Sequence, residues 1–253
     1  MSDVIVTVLI SLCVFAGALL GMFFNRVLPP DHVGEETRRV VNISVGLIAT
    51  LSALVLGLLV ASTKAAFDAK SDEIKQTAAR IVLLDRTLRQ YGPEAAPARA
   101  MLHDLTRRRM MLTWNEALDS AENDRLRAEG IAFEQFQTTV RLWKAGDDGQ
   151  KWLQVRALNL SAEIEQTRWL LSESNESSIQ RPFLIVLVAW LTVIFASIGM
   201  FAPRNRTAVV VIFVCALSVS AAIFLILEMD QAFDGLMMVS DSPLRSAYQQ
   251  ILR

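Results

Sequence analysis

Two cysteines and two histidines in 253 residues leave little from which to build a disulfide framework or a metal centre. Cys13 and Cys215 both fall inside apolar runs and form no CxxC spacing, so each reads as a small hydrophobe in a packed bundle. His32 and His103 stand apart from any ligand cluster, and neither reads as a metal site. GxGxxG, GxxxxGK[ST], HExxH and GxSxG are all missing, so no phosphate cradle, zincin helix or nucleophile elbow is present. An enzyme is not expected, and no cofactor is implied. The net charge of −1 gives no global attraction to nucleic acid.

Charge is missing where its absence matters most. Val4 to Phe24, Val41 to Ser62, Pro182 to Phe201 and Ala208 to Leu227 each run without a side chain charged at pH 7, over the ~20 residues that a hydrocarbon core requires. With 53% hydrophobic and 20% charged residues, the chain is too apolar for an average soluble protein. Four transmembrane helices are expected. The stub "MSD" carries no Lys or Arg, and Asn25 and Arg26 close the first run like a membrane exit. It therefore reads as a span, although "FAGALLG" offers small residues for signal cleavage. No Asp, Glu, Lys, Arg or His lies within the four runs, which counts against proton coupling, because ionisable groups at membrane depth are kept mainly where they function.

The expected organisation is an all-α integral membrane protein: two transmembrane helices in residues 1–62, a helical extramembrane domain in 63–181, two more spans in 182–227, and a docking tail in 228–253. Arg26, Arg38 and Arg39 in one short connection, and Arg204 and Arg206 in the other, place these loops in the cytoplasm by the positive-inside rule, with both termini and the central domain outside. Lys64, Lys70, Lys75, Arg168 and Arg181 flank the opposite side and weaken that vote.

The central domain reads as helix nearly throughout. No Gly or Pro interrupts Ser62 to Tyr91, and Ile74, Ala78, Ile81, Leu84, Leu88 and Tyr91 keep a three-four spacing. The second span should continue far beyond the bilayer and stop at Gly92 and Pro93. A helix from about Pro93 to Leu118 and a short one between Gly130 and Gly146 follow. From Asp148 a long helix carries Leu153, Ala157, Leu160, Ile164, Thr167 and Leu171 as one stripe towards Pro182. Trp114, Trp143, Trp152 and Trp169 are expected as core anchors, and Arg107, Arg108 and Arg109 as a charged helix surface.

The second span has a pattern of its own. In "GLIATLSALVLGLLVASTK", Gly46, Thr50, Ala53, Gly57, Ala61 and Lys64 recur at steps of three and four, while Leu47, Leu51, Leu54 and Leu58 keep a separate register. One side of this helix is thin and another bulky. Small residues so spaced permit close backbone packing. The competing reading is a pore lined by Gly, Thr and Ala, with Lys64 and Asp68 as rings at its mouth.

Three segments resemble one family. "LVLGLLVASTKAAFD", "IVLLDRTLRQYG" and "LEMDQAFDGLMMVSDSPLRSAYQQ" are similar to bacterial bestrophin-like membrane proteins of unknown function, with Phe67, Asp68, Asp85, Arg86, Asp230, Phe233, Gly235, Val239, Ser240, Pro243 and Leu244 on the family pattern. "IKQTAARI" departs from the Glu-Ala-Asn-like residues common in the family linker, and Ala232 stands where a proline is usual. The resemblance implies a bacterial inner membrane and a remote kinship with bestrophins, oligomeric anion channels with a helical soluble domain. That kinship puts the central domain in the cytoplasm, opposite to the charge count.

The tail can also be read directly. Asp230 and Asp234 sit near the membrane surface, Phe233, Leu236, Met237 and Met238 form an apolar cluster, and Ser242 with Pro243 opens a short helix in a capping arrangement. Asp230, Phe233, Gly235, Pro243 and Leu244 are the candidate docking residues, holding the tail to the helical linkers or the membrane surface. Two functional classes follow. One is an oligomeric channel-like protein with the second helix near a central axis; the other is a non-conducting sensor or scaffold whose helical domain binds a partner or ligand. Expected partners are the lipid bilayer, copies of the same chain, and an unidentified ion or small ligand.

Overall fold

Long stretches free of glycine and proline, with apolar residues either continuous or spaced by three and four, leave the backbone little alternative to helix. The computed structural model describes residues 2–27, 34–114, 122–173, 181–203, 205–233 and 235–253, and among them there is no strand. The order is α1 (Ser2–Val27), α2 (Glu35–Tyr91), a 3₁₀ turn (Pro93–Ala95), α3 (Ala96–Trp114), α4 (Glu122–Arg141), α5 (Asp148–Glu173), α6 (Arg181–Phe201), α7 (Arg206–Asp230) and α8 (Ser242–Ile251). The protein is all-α, and α1, α2, α6 and α7 are long and apolar enough to cross a membrane. α2 ends at Tyr91 because Gly92 takes φ 124°, a conformation that L side chains rarely adopt, and Pro93 follows it.

The chain divides into two units, each with its own core. The first comprises Met1–Ala66 and Ser177–Gln231. Its centre is built from Val14 and Ala18 of α1, Leu187 and Leu191 of α6, and Ala216 and Ile223 of α7. α1 and α6 approach to backbone contact: a Cβ on Gly21 would overlap the carbonyl of Ala196, one on Gly199 would overlap that of Ala18, and one on Gly17 would lie 2.7 Å from Thr192 Cγ2. Gly17 and Gly21, four apart, are thus the small-residue motif that closes a membrane helix pair. Cys13 and Cys215 are exposed on this unit rather than packed inside it, although Cys13 Sγ still lies 4.0 Å from Thr192 Oγ1 of α6.

The second unit comprises Phe67–Glu176 and Ala232–Arg253. Ile81, Leu84, Leu88 and Tyr91 of α2 meet Leu102 of α3, Phe136 and Val140 of α4, Leu160 of α5 and Ile251 of α8. All six residues of the α2 stripe are buried, as are Ala157, Leu160, Ile164 and Thr167 on α5, while Leu153 packs against the core in part. A smaller cluster joins Ile74 and Ala78 to Ala232, Val239, Leu244 and Ala247.

Several expectations change here. Gly130 does not begin α4 but lies inside it; a lone interior glycine costs about 1 kcal/mol against alanine, and this one leaves space that the Arg168 guanidinium approaches. Trp152 is 65% exposed and does not anchor the core. Trp143 packs on Tyr91 at 4.3 Å between ring centroids, and Trp114 on Phe233 at 6.0 Å. The Trp169 side chain and Leu171 lie outside the residues described at side-chain level. The expected end of α3 at Leu118 and the run of α5 up to Arg181 also fall partly outside the described residues. Asp241, not Ser242, flanks α8, and it makes no side-chain cap; instead it pairs with Arg245 one turn on.

Candidate functional site

The register of α2 sorts the first unit's candidates. Val45, Ile48, Ala49, Ser52, Leu56 and Leu59 turn toward the chain's own core. Gly46, Thr50, Ala53, Gly57 and Ala61 are exposed, and a Cβ on Gly46 or Gly57 would meet nothing within 4 Å. The Leu47, Leu51, Leu54 and Leu58 face is exposed too, roughly a quarter turn away from the thin one. Lys64 and Asp68 continue the thin register, also exposed. In its most apolar stretch only 6% of α2 is buried, against 28% for α1 and for α7. The thin stripe is therefore not used to pack within the chain, and that role falls to Gly17, Gly21 and Gly199.

The hydroxyls of this region are committed locally. Thr50 Oγ1 donates to the Gly46 carbonyl at 2.9 Å, and Ser52 Oγ to that of Ile48 at 2.8 Å. With its proton given to its own helix, Thr50 presents a methyl group and lone pairs, not a donor, to whatever faces the stripe.

In the second unit, sequence reasoning missed a charged hub. Asp85, 2% exposed, accepts from Arg99 Nε at 2.8 Å and pairs with Arg89 Nε at 2.9 Å, with His103 Nε2 at 3.5 Å. Arg89 and Arg99 also donate to the Ile251 carbonyl at 3.3 and 3.5 Å. One carboxylate thus ties α2 to α3 while its two arginines hold the last turn of α8. Two charge-assisted bonds offset the cost of burying the carboxylate. The sequence signal was an acid at a stripe-flanking position of α2, one turn before Arg89.

The arginine triplet splits by helix register. Arg107 and Arg108 pair with Asp104 on the surface, and hydrogen bonding from Arg107 lowers the Asp104 carboxyl below its ordinary value. Arg109 points inward to Glu129 at 3.5 Å. It lines a cavity of about 40 Å³ with Ile74, Thr77, Leu102, Trp114 and Phe133. That space is large enough for water, and Thr77 Oγ1, buried without a hydrogen-bond partner, would supply it a polar contact.

Of the tail residues, Leu244 is buried against Ile74 and Ala78, and Phe233 packs beside it in part. Gly235 turns the chain at φ 92°, Pro243 sits in the first turn of α8, and Asp230 ends α7. Asp234 lies outside the described residues. No group of three or more His, Cys, Asp or Glu among the described residues could hold a metal ion.

Residues 12–244 match the Bestrophin-like domain. The chain belongs to the Bestrophin-like family. A bacterial bestrophin homologue from Klebsiella pneumoniae, solved as a single-substitution variant, is similar in fold with a TM-score of 0.54 over 97% of both chains. The two are 12% identical, so the likeness is one of fold. No curated protein matches the chain. As a Bestrophin-like protein it is a membrane protein, with its four apolar helices as the spans.

Proposed function

We propose that the chain assembles into a homo-oligomer whose α2 helices surround a common axis, thin face inward, as a channel-like conduit and not an enzyme. The observation that carries this reading is the exposure of two different faces on the least buried span: a thin face with open space at Gly46 and Gly57, and a leucine face beside it. Lipid suits the leucines, but a thin face gains little dispersion from acyl chains while it permits backbones or ions to approach. Copies arranged around an axis use both faces. Lys64 and Asp68 then form adjacent rings of opposite sign beyond the span, which offset each other's self-repulsion. Kinship with bestrophins supports a conduit of this kind. The ion is not named by the stripe, which offers no charged ring at membrane depth.

A second reading, a non-conducting sensor or scaffold, is favoured by one observation: Thr50 donates its proton to Gly46, so the stripe presents no donor ring to an anion. The arginine count favours a helical domain outside and kinship with bestrophins favours the cytoplasm; the proposed assembly is the same either way.

Native mass spectrometry in nanodiscs, with ion flux into proteoliposomes, tests the proposal. An oligomer that conducts is expected. Gly57→Leu should break the assembly while leaving the chain folded, because nothing within the chain opposes the added side chain, and Leu58→Ala should be mild. A monomer would sink the shared axis; an oligomer without flux would leave the scaffold reading.

A further inference from the structure

We infer that Leu236, Met237 and Met238 form an apolar wedge that enters the interfacial layer of the bilayer, where its partner is lipid at the boundary of headgroups and acyl chains. The wedge stands on a built neck. Val239 N donates to the Ala232 carbonyl at 2.7 Å, and both residues are 2% exposed. Trp114 Nε1 donates to the Val239 carbonyl at 2.8 Å, and its ring meets Phe233 edge-on. Between these fixed ends Gly235 takes φ 92°, a turn that a side chain would strain. The tip is the opposite of its neck: Leu236 is 82%, Met238 49% and Met237 40% exposed. Three consecutive apolar side chains held out by a clamped loop need an apolar partner.

Chain continuity names that partner. The uncharged run of α2 ends at Ser62, and Phe67, which packs on the same cluster as Ala232 and Val239, is five residues on, about 7.5 Å along the helix. From the other side, α7 ends at Asp230, and five residues separate it from Leu236, six steps along the chain with a reach of at most about 20 Å. Short covalent links therefore join the neck at two points to the ends of membrane helices, and the interfacial layer beyond such ends is ~5–8 Å deep. Apolar side chains penetrate such a layer by ~5–10 Å. Flexible thioethers at two of the three positions suit an irregular, moving surface. The inference holds for either orientation of the chain.

The test uses the full chain in nanodiscs of phosphatidylcholine and phosphatidylglycerol, with Cys13 and Cys215 replaced by alanine. Met237→Cys carries an environment-sensitive fluorophore. Leu142→Cys serves as the aqueous reference, because neighbouring Trp143 stacks on Tyr91, about 40 Å beyond Ser62 along α2. The expected result is a blue-shifted emission at position 237 that lipids brominated on their acyl chains quench severalfold more than at position 142. The paired change Leu236→Ser and Met238→Ser should at least halve that quenching with the thermal transition kept. Water-like emission quenched by aqueous iodide would overturn the inference. So would blue-shifted emission indifferent to brominated lipid, with the unlabelled Met237→Cys variant forming disulfide crosslinks between subunits, since a second copy would then cover the tip.

Discussion

The two units solve the burial problem in opposite ways, and α2 takes part in both. In the second unit its apolar stripe is hidden: Ile74, Leu84 and Leu88 are each no more than 2% exposed. In the first unit its leucines stand open, Leu54 at 70%, and the closest packing uses glycine and alanine on α1 and α6. Water drives the first arrangement, since hiding a leucine stabilises by roughly 2 kcal/mol. In lipid that drive is gone, so helices meet where backbones approach closely and large side chains are left to acyl chains or neighbouring subunits. The same three-four periodicity thus marks a core in one solvent and an open face in the other.

The largest expected effects follow from making one substitution in both settings. Leu84→Ala or Leu160→Ala opens a cavity at a fully enclosed site and should cost about 3 kcal/mol, with Leu84→Asp unfolding the helical unit. Leu54→Ala, on the open face, should stay within about 0.5 kcal/mol. Thermal unfolding in nanodiscs, followed by tryptophan fluorescence, reads all of them. Equal losses at Leu54 and Leu84 would break the comparison.

That contrast also marks what was legible beforehand. The all-α membrane fold was readable because ~20-residue uncharged runs and an unbroken amphipathic stripe are strong local signals. The stop at Gly92 was readable for the same reason. What escaped notice depends on which residues meet across the fold. Gly17 and Gly21 carry the same small-residue spacing as the α2 stripe, but nothing local says that Ala196 and Gly199 wait opposite them. Asp85 stood out only as one residue of the family pattern, and its role as a charged hub appears only when α3 brings Arg99 to it. Gly130 looked like a boundary because its local cost ignores the space it leaves for Arg168. On α2 the pattern separated thin from bulky, but the third face, the one that packs within the chain, had no signature of its own.

The two glycine sets sharpen the comparison inside the membrane. Gly21→Leu places a side chain against the Ala196 carbonyl, where backbone cannot yield cheaply, and should destabilise the first unit by about 3 kcal/mol or prevent its folding. At Gly46 the same change meets open space and should leave the monomer as stable or slightly more so, since glycine is the poorer helix former. Far-UV circular dichroism with detergent-resistant mass measures fold and assembly separately. If both variants lose helix content alike, the thin face of α2 is packed within the chain after all.

The smallest effect tests whether the helical unit's boundary behaves like a water-facing core. Burial raises the Glu73 carboxyl above its ordinary value of 4.5, against the opposing pull of Lys70, and Glu73 Oε2 has no hydrogen-bond partner. The folded chain therefore holds this proton more tightly than the unfolded chain. Stability from that proton is fully present below the unfolded value and is lost as pH rises through the raised one. Glu73→Gln removes the ionisable group, so it should stabilise the protein as pH rises past the raised value, where the native carboxylate is charged and poorly solvated. At acidic pH, where both side chains are neutral, the two proteins should unfold together. Glu73 is only partly buried, and solvent screening keeps the gain below about 1 kcal/mol. Paired thermal melts across this pH range decide it: a gain that grows on acidification has the wrong sign for a desolvated carboxylate, and would instead mean that Glu73 is held charged by a cation on a neighbouring surface.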